Sequence, residues 1–106
     1  MLKHYDDAYR IAFTSPVWVY SGEAGWRFVS IPKNESQKLK ELFGGVARGF
    51  GSLKVRAQIG DTEWQTSIFP DSKQGVYLLP VKASVRKAEN IQDEDSVRCV
   101  VLLLDV

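Results

Sequence analysis

Arg56, Trp64 and Thr66 lie on two adjoining stretches that alternate apolar and polar residues, split by Gly60-Asp61. That spacing predicts an antiparallel hairpin with Gly60-Asp61 as its tight turn. A guanidinium, an indole and a hydroxyl gathered there could bind a small anionic ligand. Arg56 would pair with the charge, Trp64 would supply an apolar wall and Thr66 a hydrogen bond. Lys82 and Arg86 stand four residues apart in a helical pattern, with Lys87 beside them. Like charges so placed repel by roughly 0.2–0.5 kcal/mol in an isolated helix, and a bound anion or an acidic partner would relieve this. On the ordinary reading they form a solvated face offset by Glu89 and Asp93. Trp26 and Trp64 fall in strand patterns and are expected in the core. Thr62 and Thr66 share the face of Trp64, which makes a partly polar pocket wall the alternative there. Trp18 follows Pro16 and is expected near a sheet edge.

Other chemistries find fewer residues. The chain has one histidine, His4, and one cysteine, Cys99. A zinc site takes about four nitrogen or sulfur ligands, or three plus water, so no zinc site is expected. Asp93-Glu94-Asp95 lacks the glycine and the spacing of a calcium loop and reads as an acidic turn. A serine or cysteine nucleophile would need His4 as its base, from the N-terminal segment. An enzyme would instead need a carboxylate such as Glu63, within a strand, in a pocket that raises its pKa. Gly44 to Ser52 carries no Gly-Lys-Ser/Thr and precedes a strand, so it is no phosphate loop. Arg48-Gly49-Phe50-Gly51 matches the first half of an RNA-recognition signature. Ser52 and Val55 stand where stacking aromatics belong, and the element is the wrong one for that fold. The stretch reads as a helix exit and loop. Cys99 lies among aliphatic residues and is expected to be a buried small hydrophobe.

The elements that must position these residues follow one another with short turns. Tyr9, Ile11 and Phe13 share one face of a first strand, which Pro16 should bend, bulge or place at an edge. Val17 to Tyr20 resumes a β-prone run, and Ser21 to Gly25 forms a turn. Trp26 to Ile31 is the second strand, stopped by Pro32. A helix follows, with Asn34 as N-cap and Gln37 three residues on, as in a capping box. Leu39, Leu42 and Phe43 give it an apolar stripe, and Gly44-Gly45 should end it in a left-handed cap. The hairpin runs from Leu53 to Phe69. After a loop from Pro70 to Gly75 comes a short strand, Val76 to Leu79. Pro80 suits the first turn of a second helix that buries Val81, Val85 and Ala88 and ends at Asn90. The last strand, Ser96 to about Asp105, is apolar on both faces from Cys99 to Leu104 and is expected to be central and covered on both sides.

Composition sets the frame for these elements. A chain of 106 residues with 44% hydrophobic and 25% charged residues is the size and make-up of one folded domain, spanning 1–106. No apolar run nears the ~20 residues a membrane helix needs. Met1 to Asp7 is charged and lacks the apolar core of a secretory signal, and one thiol cannot form an internal disulfide. The cytoplasm is therefore the expected compartment. Fourteen Lys+Arg against 13 Asp+Glu leave a net charge of +1. That balance disfavours a bulk electrostatic partner such as nucleic acid or an anionic membrane, while leaving room for a local patch.

Four pieces in order carry a family resemblance. They are Gly25-Trp26-Arg27-Phe28-Val29, Trp64 to Pro70, Tyr77 to Ala88, and Asp95-Ser96-Val97 through Leu104-Asp105. Together, from about Tyr9 to Asp105, they resemble the bacterial family known as domain of unknown function 1905. Asp93-Glu94-Asp95 stands where that family typically has Gly-Asp. The resemblance implies a small closed β-barrel with two helices and no established activity or cofactor. It favours the barrel over the other reading of the element order, a ferredoxin-like sheet from Trp26 onward. Leu79 to Val97 also resembles the swapped-hairpin barrels of AbrB-like DNA-binding antitoxins, an analogy of fold alone.

The expectation is a mainly β, closed or partly closed barrel of six to seven strands with two short helices. Its expected role is that of a non-enzymatic, cofactor-free binding domain. A small anionic ligand or a protein is the expected partner, at Arg56, Trp64, Thr66, Lys82 and Arg86. The alternative is a nucleic-acid-binding, antitoxin-like regulator, dimeric and salt-sensitive.

Overall fold

Pro16 and Pro70 mark two places where a strand changes partners. In a computed structural model of the chain, residues 9–22, 25–47 and 49–104 are described. His4 with its N-terminal segment, Glu23 and Ala24 of the first turn, Arg48 and Asp105 lie outside the described residues. Strand β1 (Arg10–Val19) pairs with the last strand up to Pro16 and with the second from Val17 onward. Strand β4 (Thr62–Asp71) pairs with β3 (Leu53–Ile59) up to Ile68 and with β5 (Val76–Pro80) from Phe69. A proline has no N–H to give a ladder, and it costs least where one ladder ends and the next begins. Pro16 therefore interrupts nothing: β1 is continuous, and both its neighbours are filled.

With β2 (Arg27–Ser30) and β6 (Ser96–Leu103), the strands close in the order β1-β2-β5-β4-β3-β6. Every pairing is antiparallel. A ferredoxin-like sheet is open and leaves one strand between the two that flank each helix, whereas this sheet closes on itself with two strands between them. Here α1 (Lys33–Phe43) joins β2 to β3 and α2 (Ala83–Ala88) joins β5 to β6, and neither pair is adjacent. Closure leaves no sheet edge, so Trp18 is not at one. It faces out from β1 opposite Phe28, and its indole N–H donates to Ser30 Oγ at 3.0 Å.

Alternation builds the core. Val17, Val29, Val55, Ala57, Ile68, Leu79, Cys99 and Val101 are fully buried and project inward from all six strands. The Leu53-Val55-Ala57-Ile59 face points inward and the hairpin turns at Gly60-Asp61, as its spacing predicts. Gly60 has φ 58°, and a Cβ there would collide with the Glu89 carboxylate. A side chain there would be strained and would have to displace Glu89, so the turn favours glycine.

Several local expectations are corrected. Helix α1 starts one residue before Asn34: Pro32 is the cap residue, its carbonyl accepts from Ser36 N at 2.8 Å, and no side chain caps the end. The inward face is Ser36, Leu39 and the half-buried Phe43, which meets Tyr9 edge-on; Leu42 is 60% exposed. Gly44 is right-handed and leads into a 3-10 turn, Gly44–Val46. The left-handed residues come later, at Phe50 and Gly51. Pro80 ends β5 instead of opening α2, and Ala88 is exposed, while Val81 and Val85 are buried as expected. Strand β6 buries Cys99, Val101 and Leu103, whereas Val100 and Leu102 are only half covered. A barrel wall has no second layer outside it at that point.

Candidate functional site

The hairpin residues are divided by the barrel wall. Trp64 pairs with Ala57, is 7% exposed and packs in the interior. Thr66 lies on the same side opposite Val55, half-buried. Arg56 is one residue out of phase with Val55 and Ala57, so it projects outside, 3.8 Å from Glu63. An odd separation along a strand always places two side chains on opposite faces. Arg56 cannot share a site with Trp64 and Thr66, which corrects that part of the expected constellation. Glu63, the strand carboxylate that an enzyme reading would need, stands half exposed on the outer face.

Lys82 and Arg86 do come together, and they meet Trp26. The expectation of Trp26 in a strand and in the core fails: β2 starts at Arg27, Gly25 turns the chain at φ 61°, and Trp26 is 51% exposed. Its ring leans on Phe28, with centroids 5.9 Å apart, and Trp18 and Tyr20 flank Phe28 at 5.4 and 6.1 Å. A main-chain bond brings the basic segment alongside. Val81 N donates to the Arg27 carbonyl at 3.0 Å, extending the β2–β5 ladder, where Phe28 sits opposite Pro80. The result is a cleft of about 220 Å³ lined by Trp26, Arg27, Pro80, Lys82 and Arg86. Only its two C-terminal cations were legible in the sequence. A Gly-Trp-Arg run beginning a strand was the signal for the rest, because the glycine lets the chain turn just before the indole.

The charges in this cleft are unequal. Arg27 is neutralised: its Nε and Nη2 donate to the two carboxylate oxygens of Asp93 at 3.0 and 3.2 Å, and its Nη1 to the Gly25 carbonyl. That bidentate bond holds the Asp93 carboxyl below its ordinary range and raises the Arg27 guanidinium. Glu89, the other acid near α2, turns away to the β3–β4 hairpin, where Thr62 Oγ1 donates to its Oε2 at 2.6 Å. Arg86 Nε donates to the Val81 carbonyl at 3.1 Å, which fixes its position. Glu89 is thus engaged elsewhere, while Asp93 is gripped by Arg27 and is held down to a smaller extent by the Arg86 charge. Among the described residues no carboxylate forms an ion pair with Lys82 or Arg86.

Among the described residues no group of three or more His, Cys, Asp or Glu side chains is gathered. Cys99 is fully buried between apolar neighbours, and burial pushes its thiol up to about 12. Such a thiol is neither a nucleophile nor a ligand near neutral pH. No helix among the described residues is long and apolar enough to cross a membrane.

Fold and site define a class: a closed, six-stranded antiparallel β-barrel with two α-helices and a small cationic cleft beside an exposed indole. The family model described as Domain of unknown function (DUF1905) matches residues 13–101, and the chain belongs to that family. A search of curated proteins finds no match to the chain.

Proposed function

We propose that the chain is one non-enzymatic binding domain whose α2 cleft takes a small anionic ligand with an aromatic or other flat apolar part. The observation that carries this is the pair Lys82 and Arg86 beside the exposed ring of Trp26, neither ion-paired with a described carboxylate, with Asp93 hydrogen-bonded to Arg27 and Glu89 to Thr62. An anion between the two cations relieves their repulsion, and Arg86 presents its remaining guanidinium donors from a fixed position. Trp26 offers its face for stacking and its indole N–H for a hydrogen bond.

The test uses phenyl phosphate, which joins a ring to a dianion, with inorganic phosphate as its charge-only counterpart. Binding is read from the Trp26 indole N–H signal in nitrogen-correlated NMR spectra. Phenyl phosphate should shift that signal at lower concentration than phosphate does. Lys82→Ala/Arg86→Ala should weaken binding by about 10-fold or more, the scale of hydrogen bonds to charged groups. Trp26→Ala should erase the difference between the two anions. Equal response of the double variant and the parent would sink the reading. So would a dimer that takes up a mixed-sequence DNA duplex at low salt and releases it as salt rises, since that behaviour belongs to the regulator alternative.

A further inference from the structure

A larger concavity lies away from α2, between α1 and the β4–β5 hairpin. It measures about 580 Å³, within the range of small-molecule pockets. One wall is a single face of α1, where Lys33, Gln37 and Lys40 follow at helical spacing. The opposite wall is Pro70, Asp71 and Val76, and Ala47 closes one side. This is more apolar lining than a solvent-facing helix and a hairpin tip require.

The polar groups of the groove are not equivalent. Ser36 is spent: its hydroxyl donates to the Ile31 carbonyl at 3.0 Å and accepts from Tyr77 N at 2.9 Å. Asp71 is committed to its own turn, where its Oδ1 accepts from Lys73 N at 3.1 Å. Tyr77 is different. It lines the groove, its side chain is 96% buried, leaving 4% exposed, and among the described residues nothing hydrogen-bonds its hydroxyl. Its hydroxyl is also not among the fully enclosed orphan atoms, so an incoming group can reach it. Burial raises the Tyr77 pKa, which keeps the phenol a donor. Two cations line the same groove. Lys33 stretches from α1 to the hairpin tip, where a Cβ on Gly75 would meet its Cε at 3.3 Å, and Lys40 stands two turns further along the same helix face.

An apolar trough with one unpartnered donor and two rim cations, its only carboxylate turned into a loop, is complementary to an amphipathic anion. We propose that this groove binds a small amphipathic carboxylic acid, its apolar body against Ala47, Pro70 and Val76 and its carboxylate held by Tyr77 and the lysines of α1. This site is separate from the α2 cleft and does not depend on it.

The experiment titrates the whole chain with 8-anilinonaphthalene-1-sulfonate, an aromatic anion that fluoresces when shielded from water, and then competes it with decanoate or uncharged decanol. Saturable binding displaced by decanoate at lower concentration than by decanol is expected. Tyr77→Phe, which removes one oxygen, should weaken the dye by about 2- to 10-fold, the effect of one hydrogen bond. Lys33→Ala/Lys40→Ala should reduce the advantage of decanoate over decanol. Gln37→Trp fills the groove from an exposed helix position and should block the dye, so the proposal stays testable if Tyr77→Phe folds poorly. Unchanged affinity in both Tyr77→Phe and Gln37→Trp overturns it. Loss of dye binding in Lys82→Ala/Arg86→Ala, with the groove variants unaffected, overturns it too and places the anion in the α2 cleft.

Discussion

Arg27 at the start of β2 grips Asp93, 66 residues further along, through two parallel hydrogen bonds of 3.0 and 3.2 Å. The grip depends on how the acidic turn is docked. Val17 of β1 donates to the Asp95 carbonyl and accepts from Glu94 N, both near 2.9 Å, so the turn is stitched to the strand next to β2. Through this one pair the barrel decides which cations of the cleft remain available.

Asp93→Asn should therefore raise the affinity of the cleft for phenyl phosphate, because it releases the charge of Arg27 beside Lys82 and Arg86. NMR titration of the variant against the parent checks this. The pH dependence has a definite sign. The Asp93 pKa is held below the ordinary carboxylate range, first by the Arg27 hydrogen bond. A depressed carboxylate contributes stability that is present above its unfolded value and lost as pH falls through the folded one. Chemical shifts of Asp93 and of Arg27 Nε–H should thus hold constant from neutral pH down through 5. Both should change together only below the ordinary carboxylate range.

Ser36→Ala should cost about 1–3 kcal/mol, more than a typical exposed-helix substitution. The lost hydroxyl serves two buried groups, and without it Tyr77 N has no acceptor inside the protein. Denaturant unfolding measures the loss. Ser36→Thr, which keeps the hydroxyl, should retain more of the stability provided the extra methyl fits.

Cys99 gives an alkaline signature. Its thiol rises from 9.0 to about 12 on burial. The folded state therefore favours the neutral form. This contribution is fully present below pH 9 and is lost as pH climbs toward 12, by about 1.4 kcal/mol per pH unit. Cys99→Ala should be less stable at pH 7 because it leaves a small cavity, yet its stability should fall less steeply between pH 9 and 11. Parallel curves for the two proteins would contradict the assignment.

Glu94 sits at φ 73°, a left-handed conformation that costs a side-chain-bearing residue about 1–2 kcal/mol. Glycine avoids that cost but loses about 0.5–1 kcal/mol more chain entropy on folding. Glu94→Gly should therefore stabilise the protein by about 0.5–1 kcal/mol, visible as a modest rise in Tm.

Much of the barrel is legible in local patterns because β-structure writes a period of two into the chain. The Leu53–Ile59 alternation and the Gly60-Asp61 turn are read this way. The same alternation sets Arg56 on the opposite face from Val55 and Ala57, but that Trp64 and Thr66 lie on the other face from Arg56 follows from the register across the hairpin, which the tertiary structure supplied. The inward Val81 and Val85 and the left-handed Asn90 follow equally from helical spacing and turn chemistry. The prolines were ambiguous for a physical reason. A missing N–H marks an edge or a change of partner alike, and only closure of the sheet tells them apart.

The site was legible in fragments. Residue types in sequence showed Lys82 and Arg86 four residues apart and few groups for metal or nucleophilic chemistry, although Lys82 is the extended cap residue before α2 and does not share a helix face with Arg86. Tertiary structure alone decided that Trp26 leaves the core, that Arg27 and Trp26 join the basic residues, and that Asp93 is hydrogen-bonded to Arg27 and Glu89 to Thr62. It also decided that, among the described residues, no group hydrogen-bonds the Tyr77 hydroxyl on the groove between α1 and the β4–β5 hairpin. The reason is range. Periodicity reports which way a side chain points relative to its own element. Charge pairing and hydrogen-bond satisfaction depend on neighbours brought from 27 to 66 residues away, and chain closure sets those contacts.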